Sequence, residues 1–421
     1  MDAFTKVRDA LWGMPTVILL SAFGFYFTLR LGFFNPKKII DAFRETFFSL
    51  KNGKDGGLSS LAALSTALGG TVGVGSISGV ALSITMGGAG SIFWMWVCSL
   101  LGIGLKYAEV ALAHSRRVMT EKGPSGGAMY CLKAMGKPRL AVLFALLTVM
   151  AAACGGSLVQ AGAISDVTAP LLGSKALCAL TVGMVTLFVV WGGRAFITKF
   201  NTVALPAVSV LFTSLCLIAL IRSLHALPDA IGRIFGEALG FRQAAGGISG
   251  ALMMRVGCAR GTFSNEAGMG SSPLSYAAGA ETNSHVQGLW GVTEVFIDSF
   301  VVSTLVALGI LCAGADSASA LFTLSFGGLG TVLYAVSIVV FAFAAIISWC
   351  FYGEEALRFL CPAGKGVFGV FRLGVAFCAF FGTLMTENGV FAAADIWGAL
   401  MLFPNLYLLY KSRSEIIALA K

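Results

Sequence analysis

Two stretches decide how this chain folds: GGTVGVGSISG, Gly69–Gly79, and VGCARGTFSNEAGMGSS, Val256–Ser272. The first sits inside an apolar run from Leu58 to Met86, long enough to cross the ~30 Å hydrocarbon core of a bilayer. Five glycines in eleven residues weaken a helix by about 1 kcal/mol each relative to alanine. The second stretch carries Gly257, Gly261, Gly268 and Gly270 around the polar residues Ser264, Asn265 and Glu266. Glycines alone can serve close helix packing. Opened backbone at membrane depth is tolerated only where it is buried in protein or lines a cavity.

The surrounding composition is that of a membrane protein. Of 421 residues, 57% are hydrophobic and 12% charged, against a norm of about 25% charged, and the mean hydropathy is +0.86. Eleven apolar segments are expected to span: 11–32, 58–86, 88–114, 139–172, 176–193, 196–221, 243–280, 284–313, 331–360, 366–385 and 388–410. Those at 139–172 and 243–280 are too long for simple helices and are expected to bend or break. The first is read as a retained helix, because no small-residue cleavage site follows it. The amphipathic segment Pro36–Leu50 is either an interfacial helix or an ordinary connection.

The net charge of +9 does not point to nucleic acid, because the basic residues follow the loops. Lys37, Lys38, Arg44, Lys51, Lys54, Arg116, Arg117, Lys122, Lys133, Arg358, Lys411 and Lys421 fall on one side. Lys6, Arg8, Lys175, Arg222, Arg233 and Arg242 fall on the other. The positive-inside rule then predicts a multi-pass plasma-membrane protein with its N-terminus outside and its C-terminus in the cytoplasm. The cysteines are dispersed without a C-x-x-C, the three histidines form no cluster, and no phosphate-binding loop or nucleophile elbow occurs. An ATP-driven pump or a membrane enzyme has no visible motor or catalytic set, and no transition metal is expected.

The interruptions fall in spans two and seven, five spans apart, and a repeat of odd length inverts in the membrane. Each interrupted span is followed by a similar acidic motif, AEVALA (Ala108–Ala113) and TEVFID (Thr293–Asp298). The pattern predicts an all-α integral membrane protein of one transmembrane domain, residues 1–421. It comprises an extra helix at 11–32, a first repeat at 58–221 and a second, inverted repeat at 243–410. Paired interruptions at corresponding positions of two halves mark a transporter's binding site. At such a break, the amides opening one half-helix attract a carboxylate, while the carbonyls closing the other attract a cation. A zwitterion bound together with a small cation fits.

At these residues the chain resembles the alanine/glycine:cation symporter family. STALGGTVGVGSISGVA (Ser65–Ala81) is similar to the family's second span, and ARGTFSNEAGMGSSP (Ala259–Pro273) matches its pattern ARG-x-FSNEAG-x-GS-x-P. GSIFWMWVCSLLGIGLKYAEV, WGVTEVFIDSFVVSTLVAL and WCFYGEE fit as well, and the likeness runs from Trp12 to Tyr410. The resemblance implies the leucine-transporter-type fold of the amino acid–polyamine–organocation superfamily: a five-plus-five inverted repeat, here with one extra N-terminal helix. It implies symport of a small neutral amino acid, alanine or glycine, with Na+ (H+ as alternative) by alternating access, without enzyme activity or organic cofactor.

It also implies roles. The amides of Val74 and Gly75 would hold the substrate carboxylate, with Thr71, Gly73 and Ser76 around them. Carbonyls of Gly69, Thr71 and Val72 would face cations and the amino group. Thr262, Phe263, Ser264 and Asn265 would complete the pocket, with Gln160 from span four and Trp349 capping a small side-chain space. The chain departs from the family where Ser76 replaces an asparagine, where Gly156–Gly162 lacks two asparagines, and where Ala344–Ala345 replace a Ser-Thr pair. Ser348, three to four residues farther on, faces either the same cation position or elsewhere. These losses predict weaker sodium dependence than the family norm, with proton coupling or leak as the fallback.

Among the intramembrane charges, Lys106 and Glu109 are three residues apart and read as a pair on one helix face. Glu294 and Asp298 lie one turn apart, and Arg260 with Glu266 forms a gate-pair candidate flanking the second interruption. A proton-coupled or uncoupled carrier on the same fold is the alternative function. A membrane sensor is disfavoured by the short tail KSRSEIIALAK after Tyr410.

Overall fold

The computed structural model describes residues 3–50, 57–121, 123–240, 249–362, 364–385 and 387–420. Lys51, Lys54, Lys122, Arg242 and Lys421 of the charge reading lie outside the described residues, as do 243–248 of the expected seventh span.

Helix α1 (Ala3–Leu11) leads into α2 (Met14–Leu31), which has Pro15 in its first turn and ends at Gly32 with φ +78°. The start of α3 (Pro36–Phe48) is fixed by the Asn35 side chain, which accepts from the Lys37 N–H at 3.1 Å. The second expected span is two helices. Ser59 caps α4 (Ser60–Thr71), Val72 and Gly73 leave the helical conformation, and α5 (Val74–Gly87) begins anew. Next, α6 (Gly90–Ser115) runs unbroken. An antiparallel hairpin of β1 (Val118–Thr120) and β2 (Gly123–Ser125) and a short α7 (Ala128–Ala134) follow. The long fourth segment does not break. It passes from α8 (Pro138–Met150) through a π-helical turn, Ala151–Gly155, into α9 (Gly156–Leu172).

Helices α10 (Lys175–Trp191), α11 (Gly193–Arg222) and α12 (Leu227–Ala238) precede the second interruption. That interruption separates α13 (Gly250–Asn265) from α14 (Pro273–Ala277). A second π-helical stretch, Phe296–Val302, joins α15 (Ser284–Val295) to α16 (Ser303–Ala313). The chain continues through α17 (Ala318–Phe326), α18 (Gly328–Leu360), α19 (Lys365–Gly382), α20 (Glu387–Lys411) and α21 (Arg413–Leu419). Helix thus lies over each expected apolar segment. Among the described residues, seven helical stretches are long and apolar enough to cross a membrane, with shorter apolar helices at Lys175–Trp191 and Gly366–Gly382.

Polarity is arranged for lipid. Phe188, Leu171, Val370, Met184 and Val210 expose 68–78% of their area, whereas Lys106, Glu294, Asp298 and Asp395 expose none. Ionisable groups at membrane depth face the protein interior because hydrocarbon solvates them poorly. Of the two readings of Pro36–Leu50, the structure shows a helix with one face docked. Thr46 Oγ1 lies 2.9 Å from Thr293 Oγ1 and the Phe43 ring 5.0 Å from that of Phe296, while Ile40, Phe47 and Phe48 are exposed.

The extra helix α2 packs on α6 through small residues. A Cβ at Gly104 would come within 2.6 Å of Thr28 Oγ1 and 2.7 Å of Thr28 Cα, and Thr28 Oγ1 donates to the Leu101 carbonyl at 3.0 Å. Gly104→Val should therefore push α2 off α6 and cost about 1–3 kcal/mol or more. Gly374→Val, where nothing lies within 4 Å of the added Cβ, should leave the melting temperature in detergent near wild type. Equal melting temperatures for the two variants would contradict this packing.

Candidate functional site

The first break is short and stitched. At the start of α5, the amides of Val74 and Gly75 have no acceptor within their own helix, as in any first turn. The Gly73 carbonyl accepts from the Ser76 N–H at 3.2 Å. Ser76 Oγ lies 3.1 Å from the Thr71 carbonyl, which ties the end of α4 to the start of α5. The second break covers 266–272. Ser264 and Asn265 belong to the last turn of α13 and not to the opened backbone. Glu266 takes the left-handed conformation at φ +54°, followed by Gly268 at +93° and Gly270 at +74°. Glycine adopts such angles at little cost, whereas a side chain there stores strain.

A cavity lies between the breaks. Thr71 and Gly75 line it from the first, Phe263, Glu266 and Met269 from the second, and Gln160 from α9. Trp349 of α18 closes another side, with Ala394 and Gly398 of α20 opposite. The π-helical turn brings Ala151 and Gly155 to the wall. A Cβ at Gly75 would be 3.4 Å from the Phe263 ring, and one at Gly73 would be 3.6 Å from Gln160 Oε1. Among the described residues that oxygen has no hydrogen-bond partner, although Gln160 is only 5% exposed. Trp349 sits edge-on to Tyr352 at 5.5 Å, and lies so close to Gly156 that any side chain there would overlap it.

Thr71, Gly75, Gln160, Phe263 and Trp349 line this one cavity, with Gly73 at the edge and Val74 buried beside them. Thr262 and Asn265 are not. Three residues apart, they share the helix face turned to α6. Thr262 Oγ1 lies 3.7 Å from Cys98 Sγ, and Asn265 Nδ2 donates to Ser99 Oγ (3.1 Å) and Ser299 Oγ (3.2 Å).

Two oxygen-rich clusters flank the first break. At Gly69, an added Cβ would be 2.5 Å from Ser348 Oγ and 3.3 Å from the Ala344 carbonyl. Ser348 and Ala344, one turn apart on α18, therefore both face the end of α4. Asn201 of α11 donates from Nδ2 to Ser348 Oγ at 2.7 Å, while its buried Oδ1 has no partner among the described residues. The sequence reading missed Asn201. A carboxamide inside an apolar span is costly unless partnered, and was the available signal.

The other cluster joins both breaks through Asp298, which sits on the second π-helical stretch. Ser76 Oγ contacts the Asp298 carboxylate and lies 3.0 Å from Ser264 Oγ. Ser264 and Ser299 donate to Asp298 Oδ2 at 2.7 and 3.1 Å. The Ser76, Ser264 and Ser299 hydroxyls supply three protons where their own oxygens, the Thr71 carbonyl and both carboxylate oxygens converge, so acceptors outnumber donors.

The expected charge pairs are re-sorted. Lys106 Nζ lies 3.4 Å from Glu294 and donates to Ser272 Oγ at 2.8 Å, so its ion-pair partner is Glu294 on α15 and not Glu109. Glu109 turns to the second break and accepts from the Gly270 N–H at 3.2 Å. Glu294 and Asp298 serve separate networks. Glu266 accepts from Ser271. Arg260 pairs with Asp395 of α20 and lies 5.3 Å over the Phe263 ring, which corrects the Arg260–Glu266 gate. Glu266 lines the cavity, and its carboxylate is bonded to Ser271 within the break.

Residues 1–421 match the sodium:alanine symporter family. An uncharacterized transporter of Haemophilus influenzae is 37% identical over 98% of this chain and 94% of its own length. The sodium/alanine symporter AgcS of Methanococcus maripaludis is 32% identical over 95% of this chain and 92% of its own. Among solved structures, MhsT in complex with L-phenylalanine aligns with a TM-score of 0.63 at 13% identity, covering 87% of this chain and 93% of that one. At that identity the likeness concerns the fold alone, which is of the leucine-transporter type. By the extent of these matches, this chain belongs to the sodium:alanine symporter family.

Proposed function

We propose that the protein imports a small neutral amino acid, alanine or glycine, with Na+ across the plasma membrane by alternating access. In this reading ten spans form a five-plus-five inverted repeat behind one extra helix, with the N-terminus outside and the C-terminus in the cytoplasm. The observation that carries it is the coincidence at one break of first-turn amides, a small cavity and two acceptor-rich clusters. The substrate carboxylate meets the amides of Val74 and Gly75. Its ammonium meets Gln160 Oε1, an acceptor without a donor, and its side chain points to Phe263 and Trp349.

Na+ is favoured over a weakly coupled mechanism. Ser348 returns a hydroxyl to the face that Ala344 leaves bare, Asn201 Oδ1 adds an acceptor, and Asp298 adds a charge beside Ser76 and Ser264. The expectation of weak sodium dependence, drawn from Ala344, Ala345 and Ser76, is revised on that ground. The Asp298 carboxylate also supports the second reading, a proton in place of the ion. Labelled alanine uptake into proteoliposomes separates the two. An imposed Na+ gradient should drive accumulation, and a proton gradient in choline medium should not.

Gly75→Leu should abolish alanine binding while leaving membrane insertion intact, because its side chain would fill the space against Phe263. Binding at wild-type affinity would place the site elsewhere. Competition should fall from alanine to leucine and phenylalanine without a sharp step at serine, since one methylene changes discrimination by only ~1–3 kcal/mol. Equal competition by phenylalanine would contradict the small cavity. Asp298→Asn should weaken Na+ activation of uptake by about 1.5–3 kcal/mol, the value of a hydrogen bond or ligand contact to a charged group, or ~10–100-fold. An unchanged Na+ dependence would remove Asp298 from the ion site.

A further inference from the structure

The second break is held from beneath by a charged cluster that the substrate site leaves unused. Asn405 of α20 donates to the Gly268 carbonyl at 2.9 Å and also contacts Glu109. Glu109 accepts from the Gly270 N–H, Glu266 from Ser271, and Lys106 and Glu294 share Ser272. One ammonium therefore stands among three buried carboxylates. Lys106 is in ion-pair contact with Glu294. The donors the structure shows for Glu109 and Glu266 are neutral. Among the described residues, the other titratable groups packed around the cluster are Asp298 from the π-helical stretch, Tyr276 of α14 and Tyr352 of α18. They add no positive charge.

The two oxygens of Glu109 are used unequally. Oε1 receives both donors, the Gly270 N–H and Asn405 Nδ2, while Oε2 is buried with no partner among the described residues. A neutral carboxyl bears this arrangement at lower cost: its carbonyl oxygen accepts twice, and the other oxygen is an unbonded hydroxyl and not a bare charge. An ionised carboxylate would leave a bare charged oxygen in the interior, where a group neutralises instead.

We propose that Glu109 is a proton-binding site in this conformation. Its proton is released when the second break moves and entering water solvates the carboxylate in place of Gly270 and Asn405, and is regained when the cluster closes and expels that water. The link to transport rests on the symport reading, whereas the presence of the proton does not. The site makes transport sensitive to pH even when Na+ is the driving ion. Raising the pH removes the proton and disfavours the conformation described here.

Infrared spectra of the full-length protein in lipid, in water and in heavy water, test the proton directly. The wild type at neutral pH should show a carboxylic C=O band, shifted by deuterium, that Glu109→Gln lacks. A spectrum unchanged by Glu109→Gln would overturn the proposal. Sodium-driven alanine uptake should fall toward alkaline pH in the wild type and be flat with pH in Glu109→Gln, which keeps an acceptor for Gly270 in a permanently neutral group. The same alkaline fall in both proteins would also overturn it. If Glu109→Gln is poorly inserted, Asn405→Ala serves. Removing a donor that stabilises the anion should move the alkaline fall to higher pH, and no shift would count against the site. Loss of alanine uptake in the wild type with the band intact would reject the symport reading and leave the proton site standing.

Discussion

Backbone that leaves the helix inside a membrane must find its hydrogen bonds within the protein, because lipid offers none. The structure meets that demand twice and differently. At the first break only Val72 and Gly73 leave the helix, and one hydroxyl, that of Ser76, spans the gap to Thr71. At the second, seven residues are opened: the Ala267 N–H is bonded by Asn265, the Gly268 carbonyl by Asn405 of α20 and the Gly270 N–H by Glu109 of α6, while the Ser271 and Ser272 hydroxyls bond Glu266 and Glu294. Asp298 links the two, since it contacts Ser76 beside one break and Ser264 at the edge of the other. A rearrangement at either break is therefore felt at the other through one carboxylate.

Helix α6 is the frame for this arrangement. One face takes α2 at Gly104, another receives the last turn of α13 through Cys98 and Ser99, and its C-terminal half brings Lys106 and Glu109 to the second break. Two π-helical stretches serve the same end. Each extra residue re-aims a side chain, Asp298 in one case, and the small residues Ala151 and Gly155 at the cavity wall in the other. Such turns recur at functional sites because they change facing without ending the helix.

The segments, the two breaks and the cavity-lining Gly75, Phe263, Gln160 and Trp349 were legible in the sequence. Hydropathy, glycine density and motif resemblance each act along the chain. Pairing was not. Periodicity says which face of its own helix Lys106 occupies, but not that Glu294 of α15 stands closer than Glu109. Nor does it show that Arg260 reaches α20 before Glu266. Ser348 was ambiguous for a related reason: its alignment with Ala344 matters only once α18 is seen against Gly69. Asn201 carried a signal, a buried amide in an apolar span, that needed a neighbour to be given meaning.

The central claim is that the two breaks together form the substrate site. A high-resolution structure of the protein with alanine and Na+ bound tests it most directly. The account predicts the alanine carboxylate on the amides of Val74 and Gly75, its methyl group between Phe263 and Trp349, and a cation beside Asp298 or Ser348. Alanine bound away from both breaks, with the cavity between them unchanged, would contradict it.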